Sequence, residues 1–129
     1  MIHQNSSAAV HKQQINKAFI NAINGLKFFF KNESNGIIQT GIACFILLAG
    51  LYLHLSSTEW VIVLLCIGAV LAMEMMNSAL EHLCNLVHKE FHSSIKIIKD
   101  VAAGAVLFTS IVSAIIGLII FIPKILPML

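Results

Sequence analysis

The chain contains no arginine: all eight basic residues are lysine. The planar guanidinium fork that grips phosphate bidentately is therefore missing. Charge of either sign is scarce at 11%, against about 25% in soluble domains, and hydrophobic residues reach 58% against about 45–50%. A chain of 129 residues is one domain at most, and so small a globule has no room to bury that excess. A bilayer is the expected solvent. The lysines are too few and too scattered to track a nucleic-acid backbone, so no nucleic-acid partner is expected. Cysteine is limited to Cys44, Cys66 and Cys84, in apolar surroundings and without CxxC spacing. These read as core or lipid-facing residues, not as metal ligands or disulfides. GxxxxGK[ST] and GxGxxG are both absent, which excludes the glycine-loop nucleotide sites. No secretory leader is expected, because the first long apolar run starts near Ile37, behind a polar segment too long for an n-region.

What remains is apolar sequence interrupted in a few places. Residues 1–10 are polar and expected to be disordered, leaving 11–129 as a single membrane domain. Over about 11–31, Ile15, Phe19, Ala22, Ile23, Leu26 and Phe30 recur at helical spacing, with lysines and asparagines on the other face. Such a helix packs on a protein core or lies on an anionic lipid surface, and beside a membrane span the second is expected. Asn32 to Gly36 breaks the pattern, with Ser34 or Asn35 able to cap a new helix. Spans are predicted at about 37–55, 60–76 (continuing as helix to about 88) and 101–122, with Trp60 as an interfacial anchor. Lys89 to Ser94 reads as a loop, with Ser93 or Ser94 as N-cap, and Pro123 and Pro127 are expected to stop the last span.

Lysine placement sets the expected orientation. Lys12, Lys17, Lys27 and Lys31 precede the first span, and Lys89, Lys96 and Lys99 lie between the second and third. The N-terminus is then cytoplasmic, and so are all the acidic residues except Glu59.

The stretch Glu74–Asp100 holds four of the six acidic residues. Glu74, Asn77, Glu81 and Asn85 fall at i, i+3, i+7 and i+11, within roughly 80° on a helix wheel. Spanning a membrane does not require such a stripe, and an intramembrane carboxylate points to function. The bland reading places Glu74 at the headgroup level, solvated or paired with a lysine. Carboxylates on one face, with Glu33 on a neighbouring element, can hold a hard cation, and Lys96 or Lys99 can face phosphate. A poorly hydrated carboxylate can serve as a general base. These are the parts of phosphoryl transfer, set where a lipid hydroxyl is within reach. His82 and His88 lie about 120° apart on the wheel, which disfavours a paired metal site.

These residues resemble the small membrane lipid kinases of the prokaryotic diacylglycerol kinase/undecaprenol kinase family. The resemblance covers roughly Lys17 to Ile122 and rests on four blocks. They are Gly25-Leu26-Lys27 with Asn32-Glu33, then Glu74-x-x-Asn77-Ser78-Ala79-x-Glu81, then Glu90-Phe91-His92, and Lys99-Asp100-x-Ala102-Ala103-Gly104-Ala105-Val106. It implies an all-α integral membrane fold with an N-terminal amphipathic surface helix and three transmembrane helices, assembled as a homotrimer with shared active sites. It implies an enzyme of the bacterial inner membrane that uses ATP and Mg to phosphorylate a lipid alcohol, diacylglycerol or undecaprenol, at the cytoplasmic face. Glu74 matches the catalytic base, and Asn77 a position beside it. Glu33 and Glu81 match metal and ATP ligands. Glu90, Phe91, His92, Lys99 and Asp100 match positions lining the nucleotide site. Asn85 departs from the pattern by replacing an aspartate, and Glu33-Ser34-Asn35-Gly36-Ile37-Ile38-Gln39 lacks the arginines and histidine common in the undecaprenol branch.

Two other readings compete. The departures suit a catalytically weak member with a structural or assembly role. A transporter or channel subunit would place charges near the bilayer midplane, but the middles of these spans, about Ile46, Ile67 and Ile111, are apolar.

Overall fold

Proline is absent before position 123, and long helices result. The computed structural model describes the backbone of residues 2–129 and the side chains of 12–129. It is all α: α1 (Ile2–Asn32), α2 (Ser34–Tyr52), α3 (Ser57–Val87) and α4 (Ser93–Ile125), then a 3₁₀ turn over Leu126–Met128. Among the described residues α2, α3 and α4 are each long and apolar enough to cross a membrane. At 19 residues α2 is about 28 Å long, close to the roughly 30 Å hydrocarbon thickness. At 31 residues α3 is about 46 Å long, so its polar C-terminal turns extend beyond the hydrocarbon.

Several boundaries differ from the sequence reading. Helix α1 already runs from Ile2, where residues 1–10 were expected to be disordered; no glycine or proline precedes Gly25 to break it. Met1 and the side chains before Lys12 lie outside the described residues. The break at Asn32 to Gly36 contracts to Glu33 alone, which is the N-cap of α2 in place of Ser34 or Asn35. α4 begins at Ser93, capped by His92 rather than by either serine, because the His92 ring accepts the Ser94 N–H. Lys96, Lys99 and Asp100 sit in its first turns, as a helix start at Ser93 or Ser94 also places them. Pro123 does not stop α4, which ends a few residues later at Ile125. So near the end, its ring withholds a single N–H and the following turn tightens to 3₁₀.

The α2–α3 link is closed by local chemistry. His54 adopts a left-handed φ of 53°, with its N–H on the Leu51 carbonyl and the Leu55 N–H on that of Gly50. That is a Schellman ending with histidine in the place glycine usually takes. Ser56 and Glu59 then form a reciprocal capping box that starts α3. Lys124 of α4 reaches Glu59 at 3.0 Å and ties the two helices at this end. Trp60, the expected interfacial anchor, packs against Gly50 and the small core of Leu55, Val63 and Ile120.

That core is too small to organise the chain. α3 packs most extensively on α4 and less on α2. A cavity of 470 Å³, lined by Gln39, Ile46, Val70, Ser113 and Phe121 among others, opens between the three spans. Phe45, Leu65, Phe108 and Ile119 are exposed on the span surfaces, as lipid-facing side chains are. On α1 the stripe Ile15, Phe19, Ile23 and Leu26 is also exposed, covered by no other described residue of this chain.

The α1–α2 corner is the exception to this loose packing. Phe29 is 3% exposed and lies across Gly36. A Cβ on Gly36 would stand 2.9 Å from the Phe29 carbonyl oxygen and 2.9 Å from its ring. Backbone cannot yield as a side-chain tip can, so Gly36→Ala is expected to destabilise by about 1–3 kcal/mol. Gly25→Ala meets nothing within 4 Å and is expected to be neutral or stabilising by up to about 1 kcal/mol. Unfolding midpoints of both variants in detergent check this pair of outcomes.

Candidate active site

Helix α3 buries Val63 and Val70 among its apolar turns and then changes character. Glu74, Asn77 and Ser78 are buried, at 4%, 5% and 8% exposure. They fall at i, i+3 and i+4, so one face of one turn carries all three. Glu74 stands seventeen residues after Ser57, about 26 Å along the axis, which is near the edge of a roughly 30 Å hydrocarbon layer. Asn77 Oδ1 is buried without a hydrogen-bond partner. A buried acceptor left open is rare and asks for a donor that arrives from outside the chain.

Glu33 comes to this face from the α1–α2 joint. As N-cap of α2 its side chain makes no capping bond. It reaches across to α3 instead, where its Oε1 lies 2.7 Å from His82 Nε2. His82 also receives the Phe28 ring edge-on, with centroids 5.8 Å apart. The His82 hydrogen bond, opposed by partial burial and helped by the Ser78 hydroxyl and by His82's charge, holds the Glu33 carboxyl below its ordinary range. Glu33 thus approaches α3 along Ser78 and His82, the ridge that continues from Glu74 at i+4 and i+8.

Helix α4 closes the other side. Lys99 Nζ donates to Asn85 Oδ1 at 2.7 Å. The asparagine that departs from the family pattern is therefore the lysine's partner, and a neutral one. Asp100 turns the other way and pairs with Lys96 on an exposed surface.

The segment 88–92 between α3 and α4 is exposed, and Glu90, Phe91 and His92 lie in it. The rings of His88 and His92 are 5.5 Å apart. Their Nδ1 atoms accept N–H bonds from Glu90 and Ser94 respectively. An Nδ1 that accepts puts the neutral ring's proton on Nε2, which is then the donor each ring can offer a ligand.

Of the residues singled out from sequence, the fold carries Glu74, Asn77 and Glu81 on α3, sets Glu33 against His82 of the same helix, and draws Lys99 to Asn85. It leaves Glu90, Phe91 and His92 in the exposed link and Asp100 on a separate face. Sequence reasoning missed His82 as Glu33's partner. A signal existed, since His82 lies about 80° round the wheel from Glu74, on the flank of the polar stripe. Which flank receives Glu33 is a matter of packing between helices.

The pairing has a sign in pH. A carboxyl with a lowered folded pKa contributes stability above its ordinary range and loses it as pH falls through the lowered value. The Glu33 carboxyl carbon, followed by NMR in micelles, is expected to titrate below a peptide glutamate, and His82→Phe to move that midpoint upward.

The sequence profile of the family described as Prokaryotic diacylglycerol kinase matches residues 20–121. An undecaprenol kinase from Bacillus subtilis is 38% identical over 117 residues, covering 88% of this chain and 95% of that protein. A diacylglycerol kinase from Synechocystis sp. is 32% identical over 106 residues, covering 81% of this chain and 61% of that protein. With the polar end of α3, the glutamate brought from the α1–α2 joint and the lysine from α4 all lying inside the matched region, the chain belongs to the prokaryotic diacylglycerol kinase family.

Proposed function

We propose that this membrane lipid kinase transfers the terminal phosphoryl group of ATP to the hydroxyl of a membrane lipid alcohol, diacylglycerol or undecaprenol. Glu74 is the base. It takes the hydroxyl proton as the alcohol oxygen bonds to the phosphorus and the bond from phosphorus to ADP breaks. The observation that carries this reading is the buried trio Glu74, Asn77 and Ser78 with an unpartnered Asn77 Oδ1. An incoming hydroxyl can donate to that oxygen and be held beside Glu74, and a lipid alcohol meets it without leaving the membrane boundary.

Among the described residues no three His, Cys, Asp or Glu side chains form a metal cage. Magnesium does not ask for one, since it takes one or two carboxylates and completes its shell with phosphate oxygens and water. Glu33 and Glu81 fit that need, and an ion held there with the nucleotide would neutralise charge on the phosphates. Asn85, being neutral, does not offset the charge of Lys99 as a carboxylate would, and the two remaining N–H donors of Lys99 suit a phosphate. Glu90, Phe91 and His92 offer contacts for the rest of the nucleotide. The family resemblance implies a homotrimer in which neighbouring chains share each site, and the exposure of these three leaves them open to a neighbouring chain. The lysine distribution supports a cytoplasmic N-terminus and active site in the inner membrane.

The fuller match to a protein named undecaprenol kinase makes undecaprenol the first alcohol to test. Purified protein given ATP, magnesium and each alcohol in turn is expected to phosphorylate at least one; no product from any would overturn the reading. Glu74→Gln is expected to lower turnover by about 10²–10⁴-fold, with size on gel filtration and unfolding midpoint unchanged. A near-normal rate would remove Glu74 as the base. Asn85→Asp is expected to change turnover by no more than about fivefold, the worth of one exposed pair at about 1 kcal/mol. A gain well beyond that would favour a catalytically weak chain with a structural role.

A further inference from the structure

His82 belongs to none of the motifs that mark the family, yet it makes the 2.7 Å contact joining the α1–α2 corner to α3. We propose that His82 is a positioning residue: its Nε2, hydrogen-bonded to Glu33 Oε1, aims the other carboxylate oxygen of Glu33 at the bound metal–nucleotide. The inference rests on the reading of Glu33 and Glu81 as that ligand pair.

Three observations converge on it. Glu33 is the single non-helical residue between α1 and α2; its N–H bonds to the Phe29 carbonyl and its own carbonyl accepts from Ile37, so its backbone is fixed and only its side chain is free to turn. Its side chain forgoes the capping bond its position invites. Something else must hold that side chain, and His82 does so at Oε1, with the Ser78 hydroxyl as a lesser contact. His82 is in turn steadied by the edge of Phe28, from the last turns of α1. The contact therefore links three things: the C-terminal end of the surface helix, the start of the first span, and the helix that carries the base. Carboxylates that ligate metals are themselves commonly hydrogen-bonded, and loss of such a partner typically costs about 10–100-fold in metal affinity or activity.

Two substitutions separate the hydrogen bond from simple packing. His82→Phe keeps an aromatic ring against Phe28 but has no donor. His82→Gln keeps an N–H at similar reach without the ring. Mn²⁺ binding, read by electron paramagnetic resonance with ADP present and lipid alcohol absent, is expected to weaken about tenfold in His82→Phe and to stay near wild type in His82→Gln. In turnover, His82→Phe is expected to raise KM for the metal–nucleotide by a similar factor with little change in kcat. Because the effect runs through Glu33, the double variant Glu33→Ala/His82→Phe is expected to bind Mn²⁺ no more weakly than Glu33→Ala alone.

Losses that add in the double variant, or a normal His82→Phe beside an impaired His82→Gln, would overturn the positioning role while leaving the kinase reading intact. A wild type that binds Mn²⁺–ADP with the expected pattern of variants, yet phosphorylates no lipid alcohol, would overturn the kinase reading and uphold the positioning role.

Discussion

Two helices meet in this protein with one residue between them, and the site depends on that joint. Helix α1 ends at Asn32, α2 begins at Ser34, and only Glu33 is left to turn the chain. So short a joint brings the last turn of α1 onto the first turn of α2, and Phe29 lies over Gly36 with no space for a side chain there. The absence of a Cβ at one position therefore decides where Glu33 stands. From that point the carboxylate reaches Ser78 and His82, one and two turns beyond Glu74.

The bilayer imposes the other constraint. Polar groups are costly in hydrocarbon, and the spans are apolar through their middles. Charge gathers at both ends in different ways. At the α2–α3 link, Glu59 is used structurally, in a capping box and an ion pair with Lys124. At the opposite end, Glu74 and Asn77 are buried with no such use, and the Asn77 oxygen has no partner at all. The same residue types are consumed by structure at one end and left available at the other, and this contrast marks the functional end.

Glu74 and Asn77 were legible from their spacing, because a helix of known pitch turns i and i+3 onto one face whatever surrounds it. By spacing alone Lys99 was legible only as a basic residue near the polar stripe, with Lys96 an equal choice, and it was the family resemblance that singled out Lys99. The fold distinguishes them: Lys99 faces α3 and meets Asn85, while Lys96 pairs with Asp100 along its own helix. The boundaries were less legible. Serines were read as caps where Glu33 and His92 occupy those places, because backbone conformation at a cap is set by the angle at which the next helix leaves. Pro123 was read as a stop, but a proline so near a helix end removes too little to act as one.

Composition and periodicity alone determined that this chain is helical, lies in a membrane and carries an acidic face at one end of its second span. Those properties follow from residue type and helical pitch, which act locally. Tertiary structure alone decided that Glu33 leaves its cap position for His82 and that Asn85 answers Lys99. These are contacts between helices, and they depend on how the α1–α2 joint and α4 pack on α3, which no single helix encodes.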